Sequence, residues 1–272
     1  MPFRVIDQHS DSQNSWLVIR ERCDLENPDD PLFLACVDLF RDAYGEGRIL
    51  SLAVDAGVER TFDLAAIRRA VRSGLPDPDE EGGKPEQLTN YRSETTEVLA
   101  RGALRETSHV RFPASPQFGK SNANQPILGF DGWGLLNKDG RCWLVLIQVK
   151  GTDVEKIPPP EAERLKEECS RIPDDSNKII RALSQLAIFL DGSTDLLPVL
   201  EMLEKMGNDE LPPLTVAPVV VRGITEASLG DLAPIRDDPP TQPDVRALGV
   251  AISIGAGLTE FGRKVTAGAR GP

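Results

Sequence analysis

Residues 129–151, GFDGWGLLNKDGRCWLVLIQVKG, set the fold expected of this chain. Two apolar runs flank Asn137-Lys138-Asp139-Gly140, a turn signal that predicts a β-hairpin. In the second run, residues 143–150, alternate positions share a face of the strand. Leu144, Leu146, Gln148 and Lys150 lie on one face, and Val145, Ile147 and Val149 on the other. A strand this apolar reads as buried, yet it finishes with two polar side chains on one face. With the turn centred between Lys138 and Asp139, Asp131 falls opposite Leu146. It then shares a face with Gln148 and Lys150, and Gln148 is its diagonal neighbour at roughly 7–8 Å between α-carbons. A one-residue slip would send Asp131 to the other face.

Working outward from the hairpin, residues 89–106 (TNYRSETTEVLARGALRE) predict a helix with Val98, Leu99 and Leu104 on its apolar side. This helix can bring Glu97 to the hairpin, or else Glu94 one turn earlier. Glu94 reads more simply as part of a solvated face. A polar loop, 113–125, joins helix to hairpin. Upstream, 15–22 suggest a strand, 31–44 a helix, 48–54 a short apolar strand, and 63–73 a capped amphipathic helix. PDPDEEGGKPEQ, residues 76–87, is rich in proline, glycine and acid and marks a boundary. Downstream, 152–175 read as a flap or flexible loop, 177–190 and 195–206 as helices, and 213–221 and 245–254 as strands separated by a loop over 231–244. The expected fold is α/β, a mixed central β-sheet flanked by helices. An N-terminal α+β region of residues 1–87, suited to binding a partner, precedes the main domain of 88–272.

The chain has 272 residues and four scattered cysteines without a CxxC pair, and only two histidines, so a zinc site is not expected. With no signal peptide, this cysteine pattern fits a reducing cytoplasm. The longest nearly apolar run, 247–258, is too short and glycine-rich to span a membrane. A formal net charge of −12 argues against nucleic acid as a partner, but the charge is unevenly spread. Residues 91–151 carry 8 basic and 5 acidic side chains, net +3, while the segments on either side are net −8 and −7. The hairpin therefore lies in the one basic stretch. Arg111, Lys120, Asn122 and Asn124 in the loop before it are candidates for phosphate contacts, which position DNA without reading sequence.

Each feature has a plainer reading: Asp131 as a turn residue, Gln148 and Lys150 as a strand edge turning to solvent. Taken together, an acid on a helix (Glu97), an aspartate opening one strand (Asp131) and Gln148-Val149-Lys150 on the next resemble the PD-(D/E)XK, restriction-endonuclease-like nuclease superfamily. The glutamine resembles the Mrr-like branch. The layout over about residues 92–190 is similar to the nuclease subunit of Hachiman anti-phage systems. The resemblance implies a metal-dependent DNA endonuclease acting in defence or restriction. It would be the effector subunit beside a helicase or other DNA-binding partner, since an acidic chain is not expected to hold duplex tightly alone. Asp131, Glu97, the Gln148 side chain and the Val149 carbonyl would hold Mg²⁺, or Mn²⁺ in its place. Magnesium takes hard oxygen donors and keeps several waters. Lys150 would orient or help deprotonate the attacking water. Glutamine in place of glutamate removes one negative charge, which weakens metal affinity and favours one metal over two. The alternative is a nuclease-like scaffold or regulatory subunit with weakened catalysis. No glycine-rich phosphate loop or G-x-S-x-G elbow points to a small-molecule enzyme. The short Gln185-Leu186-Ala187-Ile188-Phe189 run resembles the Q-x-x-x-Y helix of RecB-like relatives except that phenylalanine replaces the tyrosine, and it reads more simply as Phe189 in the core and Gln185 on the helix surface.

Overall fold

The computed structural model describes residues 3–56, 61–81, 89–119 and 129–271. Strands β1 (Val5–Ser10) and β2 (Ser15–Arg20) are followed by helices α1 (Pro31–Ala43), α2 (Glu46–Asp55), α3 (Leu64–Ser73) and α4 (Asn90–Ser108). The hairpin β3 (Gly132–Lys138) and β4 (Arg141–Thr152) comes next, then α5 (Pro160–Arg171), α6 (Ser176–Phe189) and α7 (Leu196–Gly207). Strand β5 (Leu214–Arg222), the single turn α8 (Ala233–Arg236), β6 (Val245–Ser253) and α9 (Leu258–Arg270) complete the order. The strands form one sheet, β1-β2-β6-β5-β4-β3. Its four inner strands are mutually parallel, and β1 and β3 run antiparallel at the two edges. The architecture is α/β, a mixed sheet flanked by helices. The β2–β6 ladder joins strands from the regions 1–87 and 88–272 in that one sheet.

Parallel strands are usually covered on both faces, and here two apolar cores do this. Val145, Ile147 and Val149 of β4 pack with α1, α4 and α9, while Leu144 and Leu146 pack with α5, α6 and α7. Helix α4 is central, wedged between the sheet and the pair α1 and α9. It therefore buries residues nearly all round between Glu94 and Leu104, polar ones included. Helix α9 comes close enough that a side chain at Gly262 would put its Cβ 2.7 Å from the Tyr91 carbonyl oxygen. Among the described residues, no helix is long and apolar enough to cross a membrane.

Two expected elements are different. Residues 48–54 belong to α2, not to a strand. The run Arg-Ile-Leu-Ser-Leu-Ala-Val is short enough to satisfy either period. The helix is tied at its start by Glu46, whose carboxylate takes two hydrogen bonds from the Arg72 guanidinium at 2.9 and 3.0 Å. Residues 152–175 are not a flap: 160–171 form α5, which buries Ala162, Leu165 and Cys169. Strand β1 and helix α9 carry no clear sequence signal. Five of the six β1 residues are exposed, and α9 is interrupted by Gly262 and Gly268.

Candidate active site at the open end of β4

The β3–β4 turn is the two-residue Asp139-Gly140, with φ of 56° and 71°, the left-handed pair that tight hairpins favour. Lys138 pairs with Arg141, so Trp133 rather than Asp131 lies opposite Leu146. The register differs by two residues from the expected one, and a two-residue shift preserves parity. Its effect is to shorten β3 relative to β4. Strand β3 begins at Gly132, level with Ile147, and β4 runs on to Thr152 with no β3 partner. At this step the Asp131 amide donates to the Ile147 carbonyl at 3.1 Å. The Asp131 carboxylate accepts the Val149 N–H at 2.7 Å. It takes the place of the next β3 peptide. The N–H and C=O of one strand residue project to the same side, so the Val149 carbonyl also faces this open edge. The even-numbered peptides face β5, as in the Leu144 N–H to Pro213 carbonyl bond at 2.9 Å.

Three further side chains meet here. Gln148 is 9% exposed, and its carboxamide makes no hydrogen bond among the described residues. The Lys150 ammonium donates to the Glu168 carboxylate of α5 at 2.7 Å. Burial pushes the Asp131 carboxyl up to about 6, against the pull of the Val149 N–H and Lys150. Glu168 adds to the rise, and Arg101 opposes it. The site thus lies at the carboxyl ends of the parallel strands, where open α/β sheets commonly bind ligands.

On the α4 side, Glu97 accepts from the Gln117 side-chain amide at 3.0 Å. Gln117 in turn accepts from Ser115 at 2.8 Å, and Arg101 donates to Ser115 at 2.7 Å. Burial lowers the Arg101 guanidinium, and Glu97 and Glu94 oppose this. The Arg101 charge acts on the α4 acids and on Asp131 alike, and no hydrogen bond joins Glu97 to Asp131. Glu94 is not on a solvated face. It is buried at 3% exposure and accepts from the Tyr44 hydroxyl, because α1 covers that side of α4. Arg111 pairs with Asp195 just before α7, and its main chain bridges to Leu135 on the outer edge of β3. Gln185 is exposed on α6, in a cleft of about 220 Å³ that it shares with Phe130 and Trp133. Lys120, Asn122 and Asn124 lie outside the described residues.

Among the described residues, no three His, Cys, Asp or Glu side chains form a metal-holding group. The donors gathered at β4 are of mixed type: one carboxylate, one carboxamide and one main-chain carbonyl. All are hard oxygens of the kind magnesium accepts, and a nearly buried amide without a partner fits such a set. Glu168 is a site residue that sequence reasoning misses. Its one signal is its place beside Cys169 and three residues after Leu165, at the border of the stripe that α5 buries. No family model and no curated protein matches the chain.

Proposed function

We propose that this chain is a metal-dependent DNA endonuclease of anti-phage defence or restriction, working in the cytoplasm as the effector beside a DNA-translocating partner such as a helicase. The observation that carries the reading is the Asp131 carboxylate on the Val149 N–H, with Gln148 and Lys150 flanking it on the strand that outruns β3. Asp131, Gln148 and the Val149 carbonyl would hold Mg²⁺ or Mn²⁺, with Glu97 as a further ligand directly or through water. The bound ion supplies Lewis-acid polarisation of the phosphate and an activated water. The chain's own part is positioning and charge. The Val149 N–H fixes Asp131, and Lys150 offsets charge that builds on the phosphate. The basic stretch 91–151 supports a phosphate substrate. The net charge of −12 supports delivery of DNA by a partner.

The test is plasmid degradation with Mg²⁺ or Mn²⁺, by the chain alone and with the product of a neighbouring gene. Asp131→Ala and Lys150→Ala should each abolish it. Cleavage unchanged by both substitutions removes the proposed site. The second reading, a nuclease-like scaffold or regulator, is favoured by the neutral Gln148 and predicts no cleavage under any of these conditions.

A further inference from the structure

The open end of β4 holds an acid that belongs to neither strand, Glu168 of α5. The geometry points to Glu168 as the residue that positions Lys150 for reaction, an assignment that rests on the nuclease reading above. Helix α5 packs on β4 and β5 with Leu165 and Cys169 in the shared core. Glu168 sits next to Cys169 and one turn after Leu165, so the packing that buries the helix also carries this carboxylate to the end of the sheet. There it accepts from the Lys150 ammonium at 2.7 Å.

A lysine at a strand end has a long, flexible stem that spreads its ammonium over many positions. A carboxylate fixed on a packed helix selects one of them. The other neighbours are poorly suited to hold it, because Gln148 is neutral and one Asp131 oxygen is committed to the Val149 N–H. Glu168 and Lys150 act on the Asp131 carboxyl in opposite senses, which places all three groups in one field. The pair is 26% and 40% exposed, so water screens it. A phosphate oxygen entering the site can therefore compete for the ammonium.

Two readouts test this on the intact chain. The first is acetylation of Lys150 by an amine-reactive ester without DNA, followed by peptide mass mapping. The second is kcat and KM for plasmid cleavage with Mg²⁺. Glu168→Ala should raise Lys150 labelling several-fold and lower kcat roughly 10- to 100-fold with KM little changed, the loss expected of a misplaced group. Glu168→Gln, which still accepts a hydrogen bond, should recover part of both effects. Should Glu168→Ala fail to fold, as judged by thermal melting, Glu168→Gln against wild type gives the same two measurements. Unchanged Lys150 labelling overturns the proposal, and so does increased labelling with unchanged kcat. A wild-type chain that cuts no DNA either alone or with the product of a neighbouring gene removes the nuclease reading and the catalytic role of Glu168 with it, while the labelling still reports whether the contact exists.

Discussion

The Asp131 carboxylate occupies the position on Val149 that a further β3 peptide would otherwise fill, at 2.7 Å from its nitrogen. A side chain thus continues the ladder for one step after the backbone has left it. The arrangement satisfies the first open donor of β4 and fixes a carboxylate beside the Val149 carbonyl, at the cost of burying an ionisable group.

That cost is measurable. The Asp131 carboxyl holds its proton to about pH 6 in the folded chain, against an ordinary value of 3.8. Between these values the native state binds more protons than the unfolded state, so stability falls as pH rises through the window. Asp131→Asn keeps an acceptor for Val149 and removes the ionisation. In metal-free buffer it should be more stable than wild type by on the order of 2 kcal/mol above pH 6. The gain should shrink on acidification and vanish below pH 4, as followed by urea titrations across the range.

Gln148→Glu places a second carboxylate beside Asp131. Without metal, two like charges near each other in a half-buried site should lower the melting temperature at pH 8. With metal the added charge should tighten Mn²⁺ binding by roughly tenfold, a change of about 1.4 kcal/mol. Calorimetric titration of both proteins with Mn²⁺ measures this directly.

The ion pairs should rank by burial. Glu46 and Arg72 are both nearly buried and doubly hydrogen-bonded. Arg72→Ala leaves the buried Glu46 carboxylate with only the part-exposed Arg68 guanidinium at 3.3 Å and should cost about 2 kcal/mol in urea unfolding. Lys150→Ala, which breaks the part-exposed pair with Glu168, should cost less than about 1 kcal/mol.

Taken alone, the chain should bind duplex DNA weakly. Affinity for the DNA backbone comes from neutralised phosphates, and this chain has a net charge of −12. Fluorescence anisotropy with a short duplex at physiological salt should give a Kd weaker than about 1 µM. Tight binding without help would remove the argument for a delivering partner.

Much of this site is legible in the sequence because strand period is robust to small errors. Placing the turn one residue early moves the expected register by two, yet Asp131 stays on the face of Gln148 and Lys150. A one-residue error in register would separate them. The acids of α4 are harder to place. Glu94 and Glu97 look alike in sequence, and only tertiary packing sends the first to Tyr44 at the end of α1 and the second to Gln117 in the segment after α4. Glu168 is out of reach for a different reason. Its pairing with Lys150 depends on α5, whose run of charges and flanking prolines masks a stripe of only three buried residues. In α2 the ambiguity is intrinsic: Leu52 and Val54 are exposed, so the apolar run does not mark a core.

The register of β2 on β6 also sets an order of assembly. The Asn14 side chain, just before β2, bonds the main chain of Ala247 in β6 across 233 residues. During synthesis the hairpin β3–β4 and its neighbour β5 can emerge and pair first, while β2 waits for β6, a strand made 233 residues later. Pairing over such separation is slow to form. The flank of β5 that β6 covers therefore stays open until residues 245–253 have been made. Until β6 arrives, that flank of β5 is an unpaired strand edge of the kind that templates pairing with another chain.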